Sequence, residues 1–191
     1  MISGKLFDSS FSKRRRAAAV RGIVLALLLP IQAWAQGGFN GPGRYEITNL
    51  KSGKVLDLDR NDQTSVIQFS ARGTGNQVWE VQSAGGGFYT LRNMMNGNAL
   101  EAVGTRNSTP VRAKRFDGRS GQQWRLNTGK GGNALIVSRL GKVLDIGDGS
   151  TRDGSPVQIY DSNGGSNQQF KFRWVAGPQG DGSIGTTTSN D

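Results

Sequence analysis

The hydrophobic positions between residues 43 and 175 follow a short-range alternation that is typical of β-strands. Apolar and β-branched residues alternate with polar ones over four to six positions, and clusters of Gly, Asn, Ser and Asp interrupt each run. The dipeptides Ser52-Gly53, Asn96-Gly97 and Asp148-Gly149 indicate tight turns, because glycine adopts a positive φ without steric cost. Apolar residues at helical spacing are not sustained over ten residues. The pattern predicts an all-β domain of short antiparallel hairpins.

One unit occurs three times in this segment. The related stretches YEITNLKSGKVLDL, YTLRNMMNGNALEA and NALIVSRLGKVLDI begin at Tyr45, Tyr89 and Asn133, with a step of 44 residues both times. A second signal closes each copy: NQVW at 76–79, GQQW at 121–124 and NQQF at 167–170. A fixed period of this length indicates one structural unit per copy. We predict repeats over about 43–86, 87–131 and 132–175, each with about four strands.

These motifs resemble those of the ricin-type β-trefoil lectins, whose repeat is named for Gln-x-Trp. The resemblance rests on the three closing motifs and on Leu-Asp or Leu-Glu in each copy, which follows a Gly-Lys-Val turn at Leu56-Asp57 and Leu144-Asp145. It covers residues 43–175. It implies a β-trefoil, in which three four-stranded repeats surround a pseudo-threefold axis, and a carbohydrate-binding function without catalysis.

Recurring apolar positions predict a core that the three repeats share. A large aromatic residue at the end of each unit is best used to close the barrel, where it buries on the order of 200 Å². The aromatic residues are Trp79, Trp124 and Phe170, and the recurring aliphatic ones are Leu56, Leu100 and Leu144 with Ile47, Leu91 and Leu135.

Two repeats carry a set of polar residues suited to a sugar. A pyranose site uses a fixed carboxylate to accept hydrogen bonds from hydroxyls, an amide, and an aromatic face against the C–H side of the ring. The predicted carbohydrate-binding residues are Asp57, Phe69, Asn76 and Gln77 in the first repeat and Asp145, Tyr160, Asn167 and Gln168 in the third. The resemblance implies that the acid, the aromatic residue and Asn contact the ligand, while Gln supports the acid or the sugar. The alternative is that both acids cap turns at strand ends.

The second repeat departs from this pattern. Glu101 replaces the aspartate, Lys114 replaces the aromatic residue and Gly121 replaces the asparagine, so we predict that the usual pocket is lost. Positive charge is concentrated there instead, on Arg112, Lys114, Arg115 and Arg119. This is either a solvated basic edge or a site for an acidic glycan or another polyanion. An alternative function is therefore a trefoil scaffold for a protein partner or an acidic polymer, bound through this repeat.

Composition excludes several kinds of chemistry. The chain of 191 residues contains no cysteine and no histidine, so it has no disulfide, no Cys/His zinc site and no Ser-His-Asp triad. Residues 57–62 imitate the start of a calcium loop, but Asp62 stands where glycine is needed and Gln68 where a bidentate Glu is needed. No spacing nominates a pair of glycosidase carboxylates. We predict a protein that is not an enzyme and uses no cofactor or metal.

The N-terminal residues have the features of a secretory signal peptide. A basic region that includes Lys13 and Arg14–Arg16 precedes an apolar run over 22–32, and Ala33-Trp34-Ala35 fits a cleavage site after Ala35. The apolar run is shorter than the roughly 20 residues of a bilayer span, which disfavours an uncleaved anchor. We predict a signal peptide over 1–35, a protein that is secreted or periplasmic, and no membrane span after cleavage.

Half of the excess positive charge belongs to that segment. The formal net charge is +10, and removal of six basic residues and one acidic residue with residues 1–35 leaves +5. This modest value gives no indication of a nucleic-acid partner, and we predict none; the predicted partner is the carbohydrate that the resemblance implies, a polysaccharide or a glycan. The Gly-rich residues 36–42 and the Gly/Ser/Thr-rich residues 176–191 lack apolar periodicity, and we predict a flexible lead and a disordered tail.

Overall fold

The computed structural model describes residues 38–177 as β-strands joined by turns, some of them 3-10 turns. The strands are β1 (Gly43–Asn49), β2 (Val55–Leu58), β3 (Val66–Phe69) and β4 (Val78–Gly85) in the first repeat, β5 (Phe88–Asn93), β6 (Ala99–Ala102), β7 (Thr109–Lys114) and β8 (Trp124–Thr128) in the second, and β9 (Asn133–Ser138), β10 (Val143–Ile146), β11 (Ser155–Tyr160) and β12 (Phe170–Ala176) in the third. A 3-10 turn precedes the last strand of each repeat, at Gly75–Gln77, Ser120–Gln122 and Ser166–Gln168. Further 3-10 turns lie at Lys130–Gly132 and Gly147–Gly149.

The first and last strands of each repeat form a closed barrel of six strands. Antiparallel pairing runs around the ring in the order β1, β4, β5, β8, β9 and β12. The ring closes where β12 pairs with β1, with Ile47 opposite Phe172. Closure removes the free edges that an open sheet of these strands would expose.

The middle strands of each repeat form three hairpins, β2–β3, β6–β7 and β10–β11, which meet one another. Gln68 pairs with Ser155, Pro110 pairs with Gln158, and an isolated bridge joins Ser65 to Arg112. Three hairpins of this kind on a six-stranded barrel make a β-trefoil, which confirms the predicted fold of three four-stranded repeats.

The closing aromatic residues lie in the core, as predicted. Trp79, Trp124 and Phe170 are at most 1% exposed. The Trp79 indole Nε1 donates to the Leu56 carbonyl at 3.1 Å, and the Trp124 Nε1 donates to the Leu100 carbonyl at 2.9 Å. Each indole therefore ties the last strand of its repeat to the strand that carries the acidic residue.

One predicted core residue is wrong, because the third repeat is one residue shorter in its first turn. The Asn49 N–H bonds to the Lys54 carbonyl five residues on, whereas the equivalent bond of Ser138 reaches Lys142 after four. Side chains on a strand alternate between its faces, so this shift by one residue turns Leu135 away from the core. Ile136 is fully buried in its place, while Leu135 is half-buried.

The stretch predicted to be a flexible lead contains a residue that anchors to the domain. The Phe39 ring lies 4.9 Å from the Tyr89 ring and 5.5 Å from the Phe172 ring, centroid to centroid. The Tyr45 hydroxyl also donates to the Gly41 carbonyl at 2.7 Å. Phe39 and Gly41 of the predicted lead thus contact the barrel, while residues 36–37 lie outside the described range.

Several predictions concern residues outside the described range. The signal peptide over 1–35 and the part of the tail beyond residue 177 lie there. Within 38–177, no helix has the length and apolar character needed to cross a membrane.

Candidate functional site

The predicted polar residues of the first repeat converge on one carboxylate. Asp57 lies on β2, and the 3-10 turn Gly75–Gln77 brings two amides to it. The Asn76 Nδ2 donates to Asp57 Oδ1 at 2.9 Å, and the Gln77 Nε2 donates to Asp57 Oδ2 at 2.7 Å. Asp57 is 5% exposed, so both oxygens are held in fixed directions.

Both amides are fully occupied by the protein itself. The Asn76 Nδ2 also donates to the Leu58 carbonyl at 3.0 Å, and the Gln77 Nε2 donates to the Ser70 carbonyl at 3.0 Å. An amide nitrogen has two hydrogens, so neither residue keeps a donor for a ligand. Asn76 and Gln77 therefore act by orienting Asp57.

A cavity of about 210 Å³ opens beside this carboxylate. It is lined by Asp57, Asp59, Arg60, Asn61, Ile67, Phe69, Arg72, Thr74 and Asn76. The Arg60 Nε and Nη2 both donate hydrogen bonds to the Asn76 Oδ1, at 3.1 and 3.0 Å. The Arg72 guanidinium carbon lies 4.2 Å from the centroid of the Phe69 ring. The cavity thus combines a carboxylate, an aromatic ring and two guanidinium groups.

The environment of Asp57 disfavours its ionised form on balance. Burial raises the pKa of this carboxyl above the usual 3.8. The hydrogen bonds from Gln77 and Asn76, and then the positive charges of Arg60 and Arg72, lower the pKa but offset only part of that effect.

The third repeat reproduces the carboxylate and its supports. The Asn167 Nδ2 and the Gln168 Nε2 both donate to Asp145 Oδ2, at 2.8 and 2.9 Å. Gln158, which pairs with Asp145 across β10 and β11, adds a third donor to Oδ1 at 3.0 Å. Tyr160 is half-buried opposite Val143, the position that Phe69 has opposite Val55.

The second repeat also has a cavity beside its acidic residue, Glu101. The Gln122 Nε2 donates to Glu101 Oε2 at 2.7 Å, so the longer acid is held as the aspartates are. A Cβ at Gly121 would lie 2.5 Å from the Ala102 carbonyl and 3.4 Å from the Glu101 Cγ, and the bare glycine leaves room for the extra methylene. The cavity measures about 530 Å³ and is lined by Glu101, Lys114, Arg115, Phe116, Asp117 and Arg119. The usual set of ligand residues is absent there, since Lys114 and Gly121 replace the aromatic residue and the amide, but a cavity with a different lining is present.

Several residues at these sites were not identified from the sequence. Gln158 lies two positions before Tyr160 on β11, so alternation along the strand could have identified it. Phe116 lies in the loop after β7, where alternation gives no signal. Arg60 and Thr74 lie in loops, where nothing in the sequence distinguishes a residue that faces the cavity from one that faces solvent.

Each of the two aspartate sites is braced by an asparagine from the following repeat around the ring. The Asn93 Nδ2 donates to the Asn76 carbonyl at 3.0 Å, and the Asn49 Nδ2 donates to the Asn167 carbonyl at 2.9 Å. Both asparagines are 1% exposed. The equivalent residue for the second repeat is Ser138, whose hydroxyl accepts from the Leu140 N–H instead. The 3-10 turns of the first and third repeats are thus positioned by contacts between repeats.

We expect Asn93→Ala to weaken ligand binding at the first repeat and to leave the third unchanged. The loss of a buried donor frees the turn that carries Asn76 and Gln77, and leaving its carbonyl unpaired costs about 1–3 kcal/mol of stability. Asn49→Ala should show the reverse selectivity. NMR chemical-shift changes of the Asn76 and Asn167 side-chain amides on titration report each site separately. Ser138→Ala is the control, and equal loss at both sites in Asn93→Ala would contradict the bracing role.

Comparison with solved structures gives relatives of the same fold. The designed threefold-symmetric protein ThreeFoil is 34% identical, covers 70% of this chain and 99% of its own, and has a TM-score of 0.66. The exo-β-1,3-galactanase 1,3Gal43A from Clostridium thermocellum is 30% identical with a TM-score of 0.65, but the match covers 70% of this chain and only 30% of the galactanase. The Macrolepiota procera ricin B-like lectin, solved with lactose, is 25% identical, covers 72% of this chain and 99% of its own, and has a TM-score of 0.65.

A protein-family model matches most of the described residues. No curated protein matches this chain significantly. The model of the ricin-type beta-trefoil lectin domain matches residues 43–170, which span all twelve strands up to the first residue of β12 and the carboxylates of all three repeats. The chain therefore belongs to the ricin-type β-trefoil lectin family, a family of carbohydrate-binding domains.

Proposed function

We propose that this protein is a non-catalytic lectin with sugar sites in the first and third repeats. The observation that carries the proposal is the immobilised carboxylate of Asp57, which lies beside Phe69 in an open cavity, and Asp145 repeats the immobilised carboxylate. Carboxylate oxygens that are fixed in direction accept hydrogen bonds from neighbouring hydroxyls, and the ring offers a face to the C–H side of a pyranose.

The hydrogen bonds already made to each carboxylate rank the two sites. A carboxylate has about four acceptor positions. Asp57 accepts one bond on each oxygen from the protein, which leaves a position on both. Asp145 accepts two on Oδ2 and one on Oδ1, which leaves one. The first-repeat site is therefore the stronger acceptor of sugar hydroxyls.

Lactose is the natural first probe, since the Macrolepiota procera lectin was solved with lactose. Purified protein is passed over immobilised lactose and a panel of insoluble polysaccharides at low and high salt. We expect retention that resists salt and is competed by one free sugar, because neutral hydroxyls carry no charge to be screened. Retention confined to acidic polymers at low salt, or absent from every matrix, would contradict the proposal.

We expect binding at the first repeat to weaken on acidification at a higher pH than an ordinary aspartate would cause. The Asp57 pKa is raised by burial, and a protonated carboxyl loses acceptor capacity. The sign for stability is opposite: the folded chain binds this proton more tightly than the unfolded chain, so Asp57 adds stability as the pH falls through its raised pKa. Lactose titrations from neutral pH towards pH 3.8, with unfolding curves at each pH, separate the two effects. A pH-independent affinity would contradict the role of Asp57.

The proposed location is outside the cytoplasm, by way of the predicted signal peptide over 1–35. The basic residues before the apolar run over 22–32 and the Ala33-Trp34-Ala35 cleavage site support it. N-terminal sequencing of the exported protein tests it, and we expect the first residue to be Gln36.

A further inference from the structure

The second-repeat cavity differs from the first in its charge. The walls of the first cavity contain two acids, Asp57 and Asp59, and two arginines, so their charges balance. The walls of the second contain Glu101 and Asp117 against Lys114, Arg115 and Arg119, a net charge of +1. Arg92 adds a further positive charge, since its guanidinium carbon lies 5.3 Å from the centroid of the Phe116 ring.

The positive side chains of this cavity differ in whether they already form ion pairs with the protein. Arg119 forms ion pairs with Asp117 and with Glu101, the latter at 3.6 Å. Lys114 and Arg115 are exposed, and no ion pair engages either of them within residues 38–177. Two cations of the cavity wall are therefore available to a ligand. The charge of Arg115 also acts on Asp117, whose pKa is lowered chiefly by hydrogen bonds from Arg119 and to a smaller extent by this charge.

An aromatic face is also present, two residues further along the chain than in the other repeats. Lys114 occupies the place of Phe69 and Tyr160 in the hairpin register. Phe116 lines the same cavity as Glu101 and is 41% exposed, so part of its ring is accessible to a ligand. The second repeat thus keeps a held carboxylate and a ring, and adds two cations that form no ion pair within residues 38–177.

We propose that the second-repeat cavity binds a negatively charged pyranose of an acidic polysaccharide. Lys114 and Arg115 contact its sulfate or carboxylate group, Phe116 contacts the C–H face of its ring, and Glu101 accepts from a hydroxyl. The buried carboxylate disfavours a phosphodiester chain of DNA, which brings charge without sugar hydroxyls to donate. The proposal rests on the second repeat alone and is independent of the sites assigned to the first and third.

Three dextrans of matched backbone test it: dextran sulfate, carboxymethyl dextran and neutral dextran. We expect retention on one or both charged polymers above that on dextran, and the polymer retained more strongly identifies the anionic group. The double variant Lys114→Gln/Arg115→Gln should weaken this retention about tenfold and reduce the slope of log affinity against log salt by about one per cation removed. Phe116→Leu should weaken it about threefold to tenfold, as the loss of a ring contact predicts, without changing the slope.

The control removes the same charge elsewhere. Arg152→Gln/Lys171→Gln also deletes two exposed cations, on the loop before β11 and on β12. Equal losses of retention in the two double variants would show that retention depends only on net charge, which would overturn the proposal. Retention on single-stranded DNA equal to that on the charged dextrans would also overturn it. Lactose binding should be unchanged in Lys114→Gln/Arg115→Gln, so this test and that of the other sites fail independently.

Discussion

Trp79→Ala is expected to lower the free energy of unfolding by about 3–5 kcal/mol, the usual cost of removing a fully buried large aromatic residue. Trp79 is completely buried, pairs with Tyr45 across β1 and β4, and donates its indole hydrogen to the Leu56 carbonyl at 3.1 Å. The variant leaves a cavity in the barrel and an unpaired carbonyl one residue before Asp57. Thermal unfolding should show a fall in Tm of roughly 10 °C or more.

Two further variants separate volume from hydrogen bonding. Trp79→Phe copies the third repeat, where Phe170 occupies the equivalent position. It should destabilise the protein less than Trp79→Ala does, because it removes the indole hydrogen bond but only part of the side-chain volume. Phe116→Ala removes a ring that is 41% exposed and should cost less than about 1 kcal/mol. If Trp79→Ala destabilised the protein no more than Phe116→Ala, the closing aromatic residues would not be the core of each repeat.

Asp57→Asn combined with Asp145→Asn is expected to abolish retention on lactose, with a loss in affinity of at least about 30-fold. An amide has one acceptor oxygen where the carboxylate has two. In the first repeat, Asn76 and Gln77 donate to different oxygens of Asp57. The NH₂ group that Asp57→Asn introduces faces one of these two donors, so the new side chain must rotate or move away from it. The single variant Asp57→Asn should lose more affinity than Asp145→Asn, because Asp57 keeps more acceptor positions for a ligand.

The matched control is Asp62→Asn with Asp148→Asn, which makes the same change at two exposed acids. Asp62 has a pKa of about 2, chiefly because the Ser65 hydroxyl and the backbone N–H groups of Ser65 and Thr64 donate to it, so it stabilises a turn. Circular dichroism and isothermal titration with lactose should show a folded protein with unchanged affinity. Full affinity in Asp57→Asn/Asp145→Asn would refute the proposed sites.

Much of the fold and part of the site could be predicted from local sequence. Alternation, turn dipeptides and the threefold period predicted twelve strands in three units, because each unit reuses the same local physics. The predicted sets that include Asp57 with Gln77, and Asp145 with Gln168, do lie in hydrogen-bonding contact. The prediction of Leu135 as a core residue was wrong. The first turn of the third repeat is shorter by one residue, which reverses the faces of the strand, and the alignment of the repeats does not show this difference.

The sequence by itself determined the repeat, the strand pattern and the residue types available to bind a sugar. Only the tertiary structure decided how many acceptor positions each carboxylate keeps, because Gln158 donates to Asp145 from the neighbouring strand, and it brought Arg60 and Thr74 from loops onto the Asn76 Oδ1. It also decided that Asn93 and Asn49 brace the sites of neighbouring repeats, and that Gly121 leaves room for Glu101. Hydrogen bonds and steric gaps depend on distances in space between residues far apart in the chain, and barrel closure sets those distances.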